Sequence, residues 1–569
     1  MTSARAYPVD DFTRVPRVAY FSMEIALEND IPTYSGGLGV LAGDLVRSAA
    51  DLGVPIVAVS LVSRAGYFKQ TISDSGEQRE EPQWWEPRRF AEPLHALVSV
   101  PLQDRDVWVR GWLYTVESPT GRTAPVILLD TDLEQNVSDD RQITHQLYAG
   151  GDLCRLKQYA ILGIGGVRLL TALGFQIIQY HMNEGHAALL AVELLRRTAH
   201  PRHVVGERES PYDVHRVRAM CSFTTHTPVE AAQARFDWNL VRTVLGAGTI
   251  DESLFRQLAG DRELNATRLA LNTSEYVNGV SERHARLAER MYPGAAMRAI
   301  DNGVHVGRWT HRAFAALYEK KLPGWFHEPE LLTRADQFSD EEIVGAHAEA
   351  KAGLLDLVEE RTGMRLAAAA PIVGFARRMT AYKRLDLLFS DLGRLREIAR
   401  AHPFQIVVAG KAHPADWAGK EMVAGIHRAI GALGADVPCA FIPNYDLRAA
   451  AAMTSGSDVW LNTPLPPLEA SGTSGMKAAL NGVPSLSTVD GWWVEGWIEG
   501  VTGWAIGEGQ GGDADGQSLY QKLGGVVLPL FYGARDRWAF VMKSAISKNA
   551  ALFNSHRMLR RYAAELYIG

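Results

Sequence analysis

The second half of the chain alternates short apolar runs with amphipathic stretches, and that alternation limits the folds open to it. APIVGFA (370–376) precedes RLDLLFSDLGRLREIARA, FQIVVAG precedes EMVAGIHRAIGAL, and CAFIPNY precedes DLRAAAAM, while SDVWLNT leads into a loop rich in glycine and hydroxyls. Short buried strands joined by helices in this rhythm make a parallel sheet. The first half shows the same rhythm less cleanly, with VAYFSME, GVPIVAVSL, APVILLD, FQIIQYHMN and AMCSFTTH each followed by polar loop or helical pattern. The reading is an α/β fold of two doubly wound domains.

A chain of 569 residues, 47% hydrophobic, is too long for one core and long enough for two. Residues 304–345 are aromatic and proline-bearing without strand alternation. They are the expected linker between an N-terminal domain, 1–303, and a C-terminal domain, 346–569. The final SHRMLRRYAAELY has helical propensity and is expected to pack back on the first domain.

The 59 basic and 65 acidic residues give a net charge of -6, without the basic excess of a nucleic-acid binder. No apolar stretch approaches the roughly 18 residues of a membrane span, and MTSARAYPVDDF contains no hydrophobic signal core. The expectation is a cytoplasmic protein with small-molecule ligands. Cys154, Cys221 and Cys439 are too far apart for a disulfide framework or a metal knuckle.

In open parallel sheets, ligands sit beyond the carboxyl ends of strands, so the residues after each apolar run carry the chemistry. YSGGLGVLAGD (34–44) offers successive glycine amides opening a helix, which suits a bound anion but, taken alone, more often marks a plain helix start. HMNEGH (181–186) raises a metal reading, but its spacing is not that of HExxH, whose histidines share one helical face. FTTHTP (223–228) sets His226 at another strand end, as a ligand group or a satisfied buried histidine. In GFARRMTAYKR (374–384), Arg377, Arg378, Lys383 and Arg384 follow a strand into what reads as a helix start. Cations are disfavoured at a helix start, which points to bound anions or to a solvated charged face. In LEASGTSGMKAALNG (468–482), Lys477 stands eight residues after Glu469, behind glycines and hydroxyls able to wrap a phosphate. A lysine beside such a cradle in an apolar site is how pyridoxal phosphate is held; alone, it is a solvent-exposed side chain.

Taken together, EASGTSGMKAALNG, YSGGLG, HMNEGH, TTHTP, the DNGV at 301–304 and ARRMTAYKR resemble the α-glucan phosphorylases of glycogen, starch and maltodextrin, in the family's order over nearly the whole chain. The resemblance implies the GT-B fold, two Rossmann-like domains facing a central cleft. It also implies pyridoxal 5'-phosphate as cofactor and reversible transfer of a terminal glucosyl unit from an α-1,4-glucan or maltooligosaccharide to orthophosphate, giving α-glucose 1-phosphate. A homodimer is among its implications. Position by position, Lys477 would form a Schiff base, and Arg377, Lys383 and the amides of Gly472, Thr473 and Ser474 would hold the cofactor phosphate. Trp309 and Tyr445 would line the cofactor pocket. Arg378 and the amides of Gly37 and Leu38 would bind the attacking phosphate. Glu469, Ser471, Asn302 and His226 would hold the glucosyl hydroxyls and stabilise the transition state, with Glu184 and His186 in support.

The chain also departs from the family. It is expected to be without the regulatory extension of the longer animal and plant members, the stretch after His226 reads PVEAAQARF, and Ser474-Gly475 replaces a glycine-asparagine pair. Two other readings stay in view, a sugar-nucleotide-dependent glucan synthase of the same fold and a catalytically silent glucan-binding regulator. The synthases carry a second glutamate eight residues after the first, where this chain has Lys477.

Overall fold

The computed structural model describes residues 7–148, 150–206, 209–229, 233–246, 248–507 and 513–567. Two compact units emerge. One gathers Met1–Tyr67, Pro82–Ile300 and Leu559–Gly569, the other Phe68–Glu81 and Asp301–Met558.

In chain order the first strands are β1 (Arg17–Ser22), β2 (Ile56–Leu61), β3 (Lys69–Ile72), β4 (Gln78–Glu81), β5 (Glu92–Leu102), β6 (Arg105–Glu117) and β7 (Thr123–Asp130). Next come β8 (Ile177–Asn183), β9 (Cys221–Thr224), β10 (Arg235–Asp237), β11 (Glu263–Asn265), β12 (Tyr276–Gly279) and β13 (Arg298–Ala299). The last six are β14 (Ile372–Ala376), β15 (Gln405–Ala409), β16 (Cys439–Ile442), β17 (Val459–Asn462), β18 (Ser485–Thr488) and β19 (Gly503–Ile506).

The first unit is built on a nine-stranded sheet ordered β13-β12-β9-β8-β1-β2-β7-β6-β5. Its strands from β13 to β7 run parallel, and β6 and β5 add an antiparallel edge. Every residue of β1 and β2 is buried, as their continuous apolar runs require of strands covered on both faces. The strand order reverses between β1 and β8, which makes their carboxyl ends a switch point. The chain's last turn belongs to this unit. Tyr567 Oη lies 2.7 Å from His181 Nδ1 and Tyr562 Oη 3.2 Å from Thr224 Oγ1, both on the central strands.

The second unit carries a six-stranded sheet ordered β16-β15-β14-β17-β18-β19, parallel throughout. Renumbered from its own first strand, this is the 3-2-1-4-5-6 order of the doubly wound nucleotide-binding fold, with its switch point between β14 and β17. The helix Asp340–Thr362 lays Leu354, Leu357 and Val358 on this sheet, in one core with Ile372, Val407 and Trp460. A Ser339/Glu342 capping box starts it and Gly363, at φ 71°, ends it. Residues in the 304–345 stretch form the helices Val306–Trp309 and Arg312–Lys321 and a 3-10 segment Pro329–Gln337.

One local expectation is corrected. Arg377–Arg384 do not run straight into a helix: a single 3-10 turn spans Ala381–Lys383, and a regular helix begins only at Leu392, capped by Asp391. After β14 the backbone hooks onto the tip of β15, Arg377 N donating to Ala409 O and Met379 N to Lys411 O, so these amides are lost to a helical ladder. Among the described residues, no helix is long and apolar enough to cross a membrane.

Candidate functional site

In the second unit the loops after β14 and β17, the two sides of the switch point, interlock. Arg384, at φ 48°, donates to Thr463 O and Pro464 O and pairs with Asp515 at 2.7 Å, while Thr463 Oγ1 donates back to Arg384 O at 2.9 Å. That places Arg384 as a strut and leaves its neighbours to face Glu469. Arg377 pairs with the Glu469 carboxylate at 2.5 Å, and Lys383 is in contact with the same oxygen. Arg377 and Lys383 are both buried.

Two buried cations on one carboxylate leave a surplus of positive charge, and a buried charge without compensation is costly. Arg377 Nη1 and Ser471 Oγ are buried with no hydrogen-bond partner among the described residues. Burial alone would raise the Glu469 carboxyl; the Lys383 and Arg377 charges overcome it and hold Glu469 at about 2. Burial, reinforced by Arg377, pushes the Lys383 ammonium below its ordinary range against the pull of Glu469. An incoming anion reverses that penalty. Arg378 is exposed, and its charge reaches Lys383 and His413.

The loop after Glu469 is shaped by close approach. Asp490 accepts from Glu469 N at 2.9 Å and from Gly491 N at 3.0 Å, and Trp492 N donates to Ser471 O. Gly472 sits at φ 82°, a left-handed turn that favours glycine. Thr473 precedes the helix Ser474–Ala479, and Ser474 Oγ is fixed by Trp460 Nε1 at 3.0 Å. A Cβ on Gly475 would lie 2.5 Å from Trp492 Cζ2, so only glycine fits there.

Lys477 stands on this short helix, 7% exposed, with Nζ 4.0 Å from the centroid of the Trp309 ring. The Asn481 carboxamide binds three main-chain groups: Nδ2 donates to Lys477 O and Trp309 O, and Oδ1 accepts from His311 N. Tyr445 follows β16 and packs against the core cluster that includes Ala478. Asn302, in the same unit, is buried with Oδ1 lacking a hydrogen-bond partner among the described residues. A buried lysine on an indole face, a glycine-walled loop, an orphaned guanidinium nitrogen and surplus positive charge fit an aldehyde-bearing phosphate such as pyridoxal phosphate.

The first unit holds the other expected residues: Gly37, Leu38, Glu184, His186 and His226. Glu184 follows β8 at φ 72° and its carboxylate accepts from His226 N (2.8 Å), Thr227 Oγ1 (2.9 Å) and its neighbour Gly185 N (3.1 Å). Burial raises the Glu184 carboxyl and these three bonds oppose the rise. His226 Nε2 meets Asn183 Oδ1 at 2.7 Å, and burial drives the His226 ring down to about 3, so it stays neutral and donates from Nε2. His186 packs between Tyr148 and Tyr159 and burial lowers it to about 4. Within HMNEGH, His181 is held by Tyr567 and Thr224 and the Glu184 carboxylate by His226 N, while the His186 ring meets Tyr159 edge-on. Gly37 and Leu38 open the helix Gly37–Leu52. Within PVEAAQARF, residues 230–232 lie outside the described residues.

Four residues escaped the sequence reading. Glu24, at the tip of β1, is 1% exposed and accepts from Ser35 N, Gly36 N and Tyr148 Oη, fixing the glycine turn. It ends the run VAYFSME, so the strand-tip rule that found Glu184 would have found it. Asn183 orients His226, and Asp490 and Asn481 hold the Glu469 and Lys477 backbones. Asn183 and Asn481 lie inside HMNEGH and LEASGTSGMKAALNG, but nothing in those stretches tells which partners they hold, and nothing local marks Asp490.

Residues 249–500 match the family model for carbohydrate phosphorylase. The maltodextrin phosphorylase of Thermococcus litoralis is 37% identical, over 97% of this chain and 70% of that protein. The glycogen phosphorylase of Aquifex aeolicus is 33% identical, over 97% of this chain and 86% of its own length. An uncharacterized protein of Methanocaldococcus jannaschii is 30% identical over 96% of this chain and 99% of its own length.

Proposed function

Because the chain belongs to the carbohydrate phosphorylase family, we propose that it transfers glucosyl units reversibly between an α-1,4-glucan and orthophosphate, giving α-D-glucose 1-phosphate, with pyridoxal 5'-phosphate as cofactor. The observation that carries this reading is buried Lys477 on the Trp309 ring, in the same unit as two buried cations that share one carboxylate. A sugar-nucleotide synthase would have a glutamate where Lys477 stands.

In this reading Lys477 Nζ holds the cofactor's aldehyde carbon, and Arg377, Lys383 and the amides of Gly472, Thr473 and Ser474 hold its phosphate. Trp309 and Tyr445 confine the ring. When bound, the cofactor supplies a phosphate that exchanges a proton with the substrate phosphate. Arg378 and the amides of Gly37 and Leu38 orient the attacking orthophosphate. Glu469, Ser471 and Asn302 hold the sugar hydroxyls, and His226 does so from a neutral ring, with Glu184 fixing its backbone and His186 filling the wall behind it. The glycosidic oxygen leaves with a proton as the phosphate oxygen bonds to the anomeric carbon.

The proposal extends to a GT-B arrangement with domains 1–303 and 346–569 joined by 304–345, to a homodimer, and to a cytoplasmic location. The two doubly wound strand orders support the first of these. Phosphate release from α-glucose 1-phosphate onto a maltooligosaccharide primer tests the function. Release dependent on both partners is expected; glucan binding without release would identify a silent binder, and elongation only from a sugar nucleotide would identify a synthase.

A further inference from the structure

Behind His226, within the first unit, runs a chain of hydrogen bonds whose direction is set at its far end. Ser22 Oγ donates to the main-chain oxygen of Glu24 at 2.7 Å. A carbonyl only accepts, so the single hydroxyl proton of Ser22 is committed there. Towards Asn183, 3.0 Å away, Ser22 Oγ is therefore an acceptor, and the carboxamide group that meets it is Nδ2. That turns Asn183 Oδ1 to His226 Nε2 at 2.7 Å, and an amide oxygen there requires the proton on Nε2.

The fold gives this chain little freedom to reverse. Ser22 ends β1 and Asn183 ends β8, and the two are register partners across the switch point. Each is 1% exposed. A turned carboxamide would set Oδ1 against the Ser22 lone pairs and Nδ2 against the ring proton, two mismatches in a buried place. The main chain of His226 is held separately, its N donating to Glu184 at 2.8 Å, so ring and backbone are both fixed.

The other ring nitrogen carries the consequence. Burial opposes a positive charge on His226, as do His284, His181 and His186, so the ring is neutral. A neutral imidazole with its proton on Nε2 has a bare lone pair on Nδ1. His226 is half-buried, and among the described residues none hydrogen-bonds Nδ1. The opposite tautomer would offer a proton there, as a phosphate oxygen would need.

We propose that Ser22 and Asn183 are positioning residues that lock His226 in its Nε2–H tautomer, so that Nδ1 accepts from one hydroxyl of the transferred sugar and admits only a group that donates. The lock thereby assigns His226 to the sugar and not to the phosphate. A sugar with fluorine or hydrogen in place of that hydroxyl leaves the nitrogen unpaired and is rejected, as sites built around a hydroxyl reject analogues without it. The identity of the hydroxyl rests on the glucosyl transfer proposed above; the lock itself does not.

The test is a long-range ¹H–¹⁵N correlation spectrum of the holoenzyme labelled with ¹⁵N-histidine, with the His226 signals identified by their loss in His226→Gln. The parent is expected to show a proton on Nε2 and a bare Nδ1. Ser22→Ala frees the Asn183 carboxamide to turn, and Asn183→Leu removes it; each is expected to bring in the Nδ1–H form, which a merely structural role would not do. α-Glucose 1-phosphate should shift the bare Nδ1 signal of the parent, and orthophosphate alone should leave it in place. A proton on Nδ1 in the parent, or an unchanged tautomer in both variants, overturns the lock. Turnover of α-glucose 1-phosphate by a parent whose Nδ1 signal never moves overturns the hydroxyl contact. Absence of turnover overturns the transfer reading and the hydroxyl with it, while the spectrum of the free enzyme still decides the lock.

Discussion

Lys477 Nζ lies 4.0 Å from the centre of the Trp309 ring. A lysine buried to this depth loses most of its rotamer freedom and hydration, and an indole face returns about 1–2 kcal/mol to its charged form. The ring therefore does two things: it makes the buried amine tolerable before a cofactor arrives, and it restricts where the amine can be found. Asn481 holds the two residues' carbonyls together, so Asn481→Ala loses three hydrogen bonds in a fully buried place. A loss of about 2–4 kcal/mol is expected at about 1 kcal/mol per bond. It should be read as a lower unfolding midpoint together with weaker cofactor retention; a midpoint within a degree of the parent would contradict it.

The cations after β14 divide their work by charge. Two unit charges about 4 Å apart repel by roughly 4 kcal/mol at an effective dielectric near 20, so neighbouring cofactor and substrate phosphates need cations to offset them. Exposed Arg378, whose fork engages two oxygens, suits the substrate phosphate; buried Lys383, already against Glu469, suits the cofactor side. Arg378→Ala should lower turnover about a hundredfold or more and leave glucan binding nearly unchanged. Lys383→Ala should in addition release cofactor on dialysis. Steady-state kinetics against phosphate and against glucan check this, and normal phosphate kinetics in Arg378→Ala would return that residue to a solvated loop.

Gly475 is fixed by contact. Its missing Cβ would lie 2.5 Å from Trp492 Cζ2, and Trp492 is itself buried against Phe553. Gly475→Ala should destabilise by about 1–3 kcal/mol through overpacking and loosen the turn before Lys477. Thermal unfolding with and without cofactor should show both effects. An unchanged midpoint would mean Trp492 moves aside freely.

Much of this was legible from strand-tip chemistry. The runs IVGFA, QIVVA, CAFI and VWLN became the four strands expected of them, because continuous apolar runs bounded by polar loops have few alternatives in a parallel sheet. The Arg377–Lys383 pair was legible for the same reason, as polar residues just past such a run, whereas Glu469 and Lys477 were legible from the glycine- and hydroxyl-rich loop that carries them. The pairing of Glu469 with both cations was not, since nothing in either stretch specifies which loop meets which. The short hairpin β3–β4 joins the second unit although its neighbours in sequence belong to the first. Its anchors, Gln70 and Gln78 side chains bonded to Gly410 and Ala412, are long-range contacts without a compositional mark. The turn at Arg377–Arg384 read as a helix start because local propensity cannot register amides captured by a neighbouring strand tip.

Acid should destabilise the first unit before its carboxylates titrate. Burial lowers His181 and His226 to about 3 and His186 and His284 to about 4, against about 6.5 in an unfolded chain. The folded state then binds fewer protons than the unfolded one below pH 6.5. Their contribution is fully present above that pH and is lost as pH falls towards the folded values. At pH 5 each such histidine costs about 2 kcal/mol, 1.5 units at about 1.4 kcal/mol. The unfolding midpoint should fall steeply from pH 7 to pH 5. A flat profile there would show that these rings protonate in the folded protein.

The central claim is that this chain carries pyridoxal phosphate on Lys477. Borohydride reduction of the purified protein, followed by peptide mass mapping, tests it most directly. The account predicts one reduced cofactor per chain on the peptide containing Lys477, and none in Lys477→Ala. Stoichiometric label on another lysine, or no label after reconstitution with the cofactor, would contradict it.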